Sequence, residues 1–225
     1  MSPKTAVIFD LDGTLLDSLG DIAEAMNVVL DRHGLPTHPV DRYRFFVGDG
    51  IDHLVRRALP AGVDGAALER IAADMRAEYA RRATRTTRPY PGIPELLDAL
   101  VARGIPMGIL TNKPHEPAVA MVRELLGRWP FPVIQGATDG LPKKPDPAGA
   151  LRVAGALGVP PGRCLYVGDT GTDMRTARAA GMVPVGVLWG FRPREELEAA
   201  GARHLIDRPG ELLRLVDRGA AGEPG

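Results

Sequence analysis

The residues best suited to chemistry are two aspartates, Asp10 and Asp12, which directly follow the apolar run Ala6–Phe9. In an extended chain, residues two positions apart point to the same side, so both carboxylates can face one site. One carboxylate of such a pair can attack phosphorus, while the other protonates the leaving oxygen and later activates water. Taken alone, the Asp-x-Asp-Gly pattern is equally compatible with a turn or with a fragment of a calcium-binding loop.

Two further groups of polar residues could bind a phosphate. Thr111 and Asn112 follow a second apolar run, and their hydroxyl and amide groups can hold phosphate oxygens. A lysine pair, Lys143 and Lys144, precedes a Pro-Asp-Pro sequence and a predicted helix. The pair leaves the register of the cation open, and we prefer Lys144 because it directly precedes Pro-Asp-Pro. Alone, each of these groups is an ordinary turn or a solvated loop.

A second pair of aspartates, Asp169 and Asp173, follows the apolar run Cys164–Val167 in a glycine-rich sequence. Carboxylates at such a strand end suit a hard, oxygen-seeking cation such as Mg²⁺. All four polar groups follow apolar runs, and an open α/β sheet binds its ligands at the carboxyl ends of its strands. We therefore expect the four groups to meet in one site.

The elements that would position this site alternate along the chain between short apolar runs and segments with helical periodicity. This alternation predicts an α/β fold with a parallel sheet that helices cover on both faces. The predicted strands are Ala6–Phe9, Met107–Leu110, Val133–Ile134, Cys164–Val167, Val185–Leu188 and His204–Ile206. Four prolines stand near the starts of predicted helices, where proline is common: Pro94, Pro117, Pro147 and Pro209.

The stretch from Ser18 to Arg88 has no convincing strand. Ser18 and Asp21 resemble a capping box, and three apolar stripes at helical spacing predict a small helical bundle. The stretch begins just after the first strand, at the edge where α/β sheets bind ligands. We interpret residues 18–88 as a lid, called the cap below. Residues 1–17 and 89–218 then form the core, and 219–225 a frayed tail.

In this order the four polar groups resemble the motifs of the haloacid dehalogenase superfamily, in particular its phosphoglycolate phosphatase-like branch. The likeness covers nearly the whole chain, and four stretches carry it: Phe9-Asp10-Leu11-Asp12-Gly13-Thr14-Leu15, Thr111-Asn112-Lys113-Pro114, Lys144-Pro145-Asp146-Pro147, and Val167-Gly168-Asp169 through Asp173. The resemblance implies a Rossmann-like sheet with a helical cap inserted after the first motif. It further implies a Mg²⁺-dependent phosphatase that hydrolyses a small-molecule phosphate monoester through a phosphoaspartyl intermediate.

The resemblance also implies a role for each site residue. Asp10 would be the nucleophile and Asp12 the general acid and base. Mg²⁺ would be held by the Asp10 carboxylate, the Asp12 main-chain carbonyl and Asp169, with Asp173 assisting directly or through water. The phosphoryl group would be bound by Thr111, Asn112 and Lys144. Dehalogenases of the superfamily usually lack the second aspartate, because a leaving halide needs no proton, so Asp12 disfavours dehalogenation.

Several alternatives stay open for the function. A phosphomutase, a pyrophosphatase and a sugar-phosphate phosphatase would carry the same motifs, and a non-catalytic phosphate-binding protein could share the fold. As substrate, 2-phosphoglycolate is the best single expectation. The loop Gly48-Asp49-Gly50 opens a predicted cap helix and could receive the carboxylate of that substrate. Three arginines lie near this loop in sequence, namely Arg44, Arg56 and Arg57.

Composition narrows the classes of partner. Lys and Arg total 28, as do Asp and Glu, so no overall charge attracts nucleic acid or an anionic membrane. The apolar runs are far shorter than the ~20 residues that span a bilayer. The first apolar run begins at Ala6, which leaves no room for a signal peptide, and the single cysteine, Cys164, cannot form an intramolecular disulfide. We expect a cytoplasmic monomer or homodimer.

Overall fold

The fold comes from a computed structural model that describes residues 5–63 and 65–219. In chain order the strands are β1 (Ala6–Phe9), β2 (Leu16–Asp17), β3 (Arg88–Pro89), β4 (Met107–Pro114), β5 (Val133–Ala137), β6 (Cys164–Gly168), β7 (Val183–Val187) and β8 (His204–Ile206). Six of them form one parallel sheet in the order β5-β4-β1-β6-β7-β8, and β2 pairs with β3 in an antiparallel ribbon. The first strand therefore lies inside the sheet, between β4 and β6.

Helices flank this sheet on both faces. In chain order they are α1 (Leu19–Arg32), α2 (Ile51–Ala58), α3 (Gly65–Ala80), α4 (Ile93–Ala102), α5 (His115–Leu126), α6 (Ala148–Leu157), α7 (Gly171–Ala179), α8 (Arg194–Ala199) and α9 (Leu212–Arg218). Short 3₁₀ helices span Val40–Phe45, Pro161–Arg163 and Pro209–Glu211. Side chains of α4, α5 and α9 share one hydrophobic core, and those of α6 and α7 share a second.

The buried strand β1 shows why its sequence is apolar at every position. Val7 and Phe9 belong to the core on one face of the sheet, whereas Ala6 and Ile8 belong to the core on the other. Successive side chains of a strand point to opposite faces, so a strand covered on both sides must be apolar throughout. This is the α/β architecture that the alternation of the sequence predicted.

All six predicted strands of the sheet are present, but β7 begins two residues earlier than predicted. The prediction started this strand at Val185, after a proline, whereas Val183 and Pro184 already pair with β6. A proline removes a hydrogen-bond donor from a sheet, which normally argues against a central strand. Pro184 is tolerated because the partner on the other side, β8, pairs with β7 only from Val185 onward.

Strand β4 runs further than predicted and carries polar residues into the sheet edge. Its pairing with β5 is regular from Gly108 to Leu110 and resumes only at Pro114, with an irregularity between them. Thr111, Asn112 and Lys113 fall within this irregular segment. Because these three residues belong to the last part of β4, the strand places them at the carboxyl edge of the sheet.

The cap contains α1, α2 and α3, which lie between the two strands of the β2–β3 ribbon in sequence. Met26, Val29, Leu54 and Met75 are among its buried apolar residues, in line with the predicted helical stripes. The ribbon pairs Leu16 with Pro89 and so brings the two connections between cap and core side by side.

The predicted capping box at the start of α1 is wrong. The side chain of Ser18 makes no cap hydrogen bond, and its buried hydroxyl has no partner among the described residues. Asp21 instead accepts hydrogen bonds from the backbone N–H and the hydroxyl of both Thr86 and Thr87, at 2.7–3.0 Å. Four donors from the returning connection outweigh the one backbone N–H that a capping box would offer the carboxylate.

Within residues 5–63 and 65–219, no helix combines the length and the apolarity that crossing a membrane requires. The last helix, α9, ends at Arg218. Of the predicted frayed tail, residues 220–225 lie outside the described residues, as do residues 1–4.

Candidate active site

The register of the sheet brings the predicted site residues together. Phe9, the last residue of β1, pairs with Ile109 of β4 on one side and with Val167 of β6 on the other. The residues that follow these strands therefore meet at the carboxyl edge of the sheet. Asp10 and Thr111 are both buried there, at 6% and 4% exposure.

Three buried carboxylates form the centre of the site. One oxygen each of Asp10, Asp169 and Asp173 lies within 4.8 Å of the other two. Burial raises the pKa of Asp169 to about 7, and the nearby Asp173 carboxylate adds to this effect. Burial also holds the pKa of Asp10 well above its usual range, although the ammonium of Lys144 opposes this. The Lys144 ammonium offsets part of this negative charge, and a bound cation could offset the rest.

The donor set fits Mg²⁺. Oδ1 of Asp10 is buried, and the Lys144 ammonium lies 2.8 Å from it. The carboxylate oxygens of Asp10, Asp169 and Asp173 are the hard ligands that Mg²⁺ prefers. A magnesium ion here would offset the crowding of negative charge that raises the two pKa values.

Of the two candidate lysines, Lys144 reaches the site. Its Nζ lies 2.8 Å from Oδ1 of Asp10 and 2.7 Å from Oδ1 of Asp173. Burial alone would lower the pKa of Lys144, but the carboxylates of Asp10 and Asp173 outweigh it and hold the pKa well above the usual value. Lys143 is exposed. The ammonium of Lys144 therefore remains charged beside the proposed nucleophile.

Asp169 is fixed by neighbours from two other loops. Its Oδ1 accepts from the hydroxyl of Thr14 at 3.1 Å, and its Oδ2 accepts from the backbone N–H of Phe191 at 2.8 Å. Gly13 adopts a φ of +87°, and a Cβ there would lie 2.3 Å from Oδ2 of Asp169. Only glycine allows this close approach, and this explains why a glycine stands at position 13.

Asp173 is held by Thr170, Lys144 and, at 3.5 Å, the hydroxyl of Tyr166. With Thr170 it forms a capping box at the start of α7, and its Oδ2 accepts from the Thr170 hydroxyl at 2.6 Å. Its Oδ1 accepts from Nζ of Lys144. The same aspartate thus anchors the helix and the lysine, and a direct or water-mediated contact to a metal stays a prediction.

Thr111 and Asn112 take different positions. The Thr111 oxygen accepts from the backbone N–H of Lys113 at 3.2 Å, which leaves its hydroxyl proton for a ligand. The Asn112 amide joins three segments: Nδ2 donates to the carbonyls of Gly48 and Lys144, and Oδ1 accepts from the backbone N–H of Lys144. Asn112 therefore ties the cap loop and the Lys144 loop to β4, and its predicted contact to phosphate stays a prediction.

The chain also matches a known protein family. A family model described as haloacid dehalogenase-like hydrolase matches residues 4–181 of the chain. The chain belongs to this hydrolase family. The family membership that the motifs predicted is thereby confirmed.

Several curated relatives of this hydrolase are phosphatases. The phosphoglycolate phosphatase of Pseudomonas syringae pv. tomato is 37% identical over 217 residues, covering 93% of this chain and 78% of the relative. That of Chromobacterium violaceum is 36% identical over 219 residues, covering 95% and 97%. The N-acetylmuramic acid 6-phosphate phosphatase of Pseudomonas aeruginosa is 33% identical over 214 residues, covering 95% of each chain. These relatives confirm the predicted enzyme class, a phosphoric monoester hydrolase.

Solved structures agree with the fold. The crystal structure of a predicted phosphoglycolate phosphatase from Haemophilus somnus superposes with a TM-score of 0.87 at 26% identity. The match covers 96% of this chain and 99% of that one. The Rossmann-like α/β fold predicted for this hydrolase is confirmed.

Lys113 is a further residue of the site that the sequence motifs do not indicate. Its Nζ donates to Oδ2 and Oδ1 of Asp12 at 2.9 and 3.2 Å and to the hydroxyl of Tyr79 at 2.8 Å. One feature of the sequence could have indicated its role, because Lys113 closely follows a buried apolar run. A lysine that is buried at such a position needs an oppositely charged partner. Tyr79 lies on α3 at helical spacing from the buried Ile71 and Met75, and its ring belongs to the same hydrophobic core as theirs.

A cavity of about 180 Å³ lies between cap and core of this hydrolase. Its core side carries the polar residues Asp10, Asp12, Thr111, Asn112, Lys113 and Lys144. Its cap side is mostly apolar and includes Ile22, Val47, Ile51, Leu54, Met75, Ala80 and Ala83. Arg76 and Tyr79 are the polar side chains that the cap adds to the lining.

The expected arginines of the cap loop point to other partners. Gly48 and Gly50 line the cavity, but among the described residues Arg44, Arg56 and Arg57 do not. The guanidinium of Arg57 binds Asp49 and the Phe46 carbonyl, and that of Arg44 donates to the Gly190 carbonyl at 3.0 Å. The cap arginine in the lining of the cavity, among the described residues, is Arg76 on α3, whose guanidinium forms an exposed ion pair with Asp52.

Proposed function

We propose that this hydrolase is a Mg²⁺-dependent phosphatase that cleaves a small-molecule phosphate monoester through a phosphoaspartyl intermediate on Asp10. The observation that carries the proposal is the position of Asp10, which lines the cavity and has its Oδ1 2.8 Å from the buried ammonium of Lys144. A carboxylate in the lining of a cavity, beside a buried cation that can offset the charge of a phosphoryl group, is placed as a nucleophile must be.

The residues of the site would divide the reaction into two steps. An Asp10 oxygen forms a bond to phosphorus while the bond to the leaving oxygen breaks, and Asp12 gives that oxygen its proton. A water molecule then attacks phosphorus, Asp12 takes the proton of that water, and the bond between Asp10 and phosphorus breaks. The same carboxylate thus ends the cycle protonated, as it began.

Charge on the phosphoryl group must be offset for an anion to attack it. Lys144 places a buried positive charge beside Asp10, and the hydroxyl of Thr111 can donate to a phosphoryl oxygen. Mg²⁺, held by Asp10, the Asp12 main-chain carbonyl and Asp169, with Asp173 assisting, would supply further positive charge to these oxygens. The uncatalysed hydrolysis of phosphate monoesters is among the slowest reactions known, with enhancements up to ~10²¹.

The leading substrate candidate is 2-phosphoglycolate, because several curated relatives are phosphoglycolate phosphatases. Arg76 of the cap lines the cavity, and its guanidinium could receive the carboxylate of this substrate if it exchanged its exposed ion pair with Asp52. The second candidate is a phosphorylated N-acetylated sugar acid, the substrate class named for the Pseudomonas aeruginosa relative. The apolar cap side of the cavity favours this second class, since an acetyl or ether group has apolar surface to bury. Neither candidate involves nucleic acid or a membrane.

A phosphate-release assay with matched variants tests the proposal. Wild-type protein should release inorganic phosphate from at least one of the two candidates, lose this activity on chelation and regain it with Mg²⁺. Asp10→Asn is nearly isosteric and should fold normally, yet lose more than about 10³-fold in kcat. Asp139→Asn, an exposed position outside the site, is the control. Activity of Asp10→Asn within about tenfold of wild type would reject the role of Asp10.

A further inference from the structure

The contacts of Lys113 link the cap to the proposed acid–base residue. A lysine ammonium has three donors, and Lys113 directs them to the two carboxylate oxygens of Asp12 and to the hydroxyl of Tyr79. Lys113 is 7% exposed and Tyr79 5% exposed. The Asp12 side chain is 13% exposed, so the three residues form a chain of contacts that is largely buried, at the lining of the cavity.

The chain of contacts crosses between two parts of the protein. Tyr79 lies on α3 of the cap, whereas Lys113 lies at the end of β4 in the core. The Lys113 ammonium is also 4.5 Å from the centre of the Tyr79 ring, so the ring shields it from above. These contacts exist only when α3 rests against the core, because no other part of the cap brings Tyr79 to the sheet edge.

In the ionised form, both oxygens of Asp12 accept from one ammonium, which fixes the orientation of the carboxylate. In the protonated form that the first step requires, one oxygen can still accept from this ammonium while the other carries the proton for the leaving oxygen. A carboxylate held at two points is limited in its rotation, and proton transfer depends on its direction toward the leaving oxygen. Lys113 itself is a long, flexible side chain with high rotamer entropy. The Tyr79 hydroxyl takes its third donor and so limits the motion of the ammonium.

We propose that Lys113 and Tyr79 are positioning residues for Asp12: the Lys113 ammonium orients the Asp12 carboxyl group, and the Tyr79 hydroxyl holds that ammonium in place. This inference rests on the proposed function, because the acid–base role of Asp12 belongs to it.

A purely structural role for these contacts predicts a different outcome. If Lys113 and Tyr79 only stabilised the closed fold, their loss would slow all substrates alike or lower stability without a substrate preference. A positioning role predicts that the loss depends on the leaving group. An alkyl oxygen needs a proton as it departs, whereas p-nitrophenolate leaves without one.

The test measures the first chemical step under single-turnover conditions, as release of the alcohol. The substrates are p-nitrophenyl phosphate and the alkyl phosphate that wild-type protein hydrolyses best. Tyr79→Phe retains the ring and its packing and removes only the hydroxyl. We expect it to slow the alkyl ester about tenfold and the nitrophenyl ester less than about threefold. Lys113→Met should enlarge this difference, and Lys113→Arg should restore part of the alkyl rate because it keeps donors near Asp12.

Tyr43→Phe is the matched control. It also removes a buried tyrosine hydroxyl from the cap, but that hydroxyl donates to Oδ1 of Asn27, not to a residue of the site. It should leave the ratio of the two rates unchanged. Equal loss for both esters in Tyr79→Phe and Lys113→Met would overturn the positioning role while leaving the proposed function intact. Wild-type protein that releases neither alcohol would reject the proposed function itself, and the inference with it.

Discussion

The two sides of the cavity differ in chemistry and in the way they are held. On the core side, each charged group has fixed partners from neighbouring strand ends, as Lys144 has in Asp10 and Asp173. On the cap side, apolar residues such as Ile51 and Leu54 face the same space. The core side would serve any phosphate ester, because it addresses only the phosphoryl group. The cap side must therefore choose among the alcohols to which that group is attached.

Polar contacts at the rim hold the two sides together. Arg192 of the core donates to backbone carbonyls of the cap, at Arg44 and, over 2.9 Å, at Val47. Arg44 in turn donates to the carbonyl of Gly190 in the core, and the hydroxyl of Thr172 donates to Asp49 of the cap at 3.1 Å. The closed arrangement thus depends on a few contacts around the cavity, while the apolar lining remains free for a ligand.

The largest effect on the core side should come from removing its buried lysine. Lys144→Ala leaves Asp10 and Asp173 without their cation and should lower kcat/KM by about 10²–10³-fold. Lys143→Ala removes an exposed charge one position away and should change kcat/KM less than about threefold. Steady-state kinetics of the two variants would compare them directly. The reverse order of losses would show that the register of the cation is wrong.

Metal binding by the core side should depend on pH. The pKa of Asp169 is raised to about 7, so below this pH a proton competes with Mg²⁺ for its carboxylate. The apparent Mg²⁺ affinity should therefore rise with pH, by up to about tenfold per unit, and level off above about pH 7. Calorimetric titration across this range would measure it. An affinity that is constant from about pH 5 to 7 would contradict the assigned role of Asp169.

On the cap side, Arg76 offers a test of substrate choice. Arg76→Gln removes the guanidinium from the lining and should raise KM for 2-phosphoglycolate about five- to tenfold, with little change for p-nitrophenyl phosphate. Its ion pair with Asp52 is exposed, so the effect on stability should be small. Arg56→Gln, an exposed cap position outside the lining, is the control. An unchanged KM for 2-phosphoglycolate would favour a substrate that uses the apolar lining instead.

A change at Asp21, which binds the connection that returns from the cap to the core, should affect stability more than catalysis. Asp21→Asn retains the size of the side chain but removes the charge that four donors of Thr86 and Thr87 share. We expect a loss of about 2 kcal/mol in the free energy of unfolding. Denaturant titration would measure the loss, while kcat of the folded variant should stay within about twofold. A variant as stable as wild type would show that the carboxylate is not needed at this connection.

The same contrast explains what the sequence could predict. The core-side residues follow apolar strands, so Asp10, Thr111 and Asp169 could be assigned to one sheet edge from local patterns alone. Asp21 has partners 65 and 66 positions away, and no local pattern distinguishes such a contact from a capping box. Tyr79 carries both an apolar ring and a hydroxyl, and helical periodicity reports only the ring. Which face meets the cavity depends on how the cap docks, and that is decided by tertiary contacts.

The central claim is that Asp10 accepts the phosphoryl group. Acid quenching during turnover, followed by peptide mass spectrometry, tests it most directly, and Asp12→Asn should raise the trapped amount because the water step slows. The account predicts one phosphoryl group on the peptide that contains Asp10, and none in Asp10→Asn. Sustained turnover with no phosphoryl group on Asp10, or with one on another residue, would contradict it.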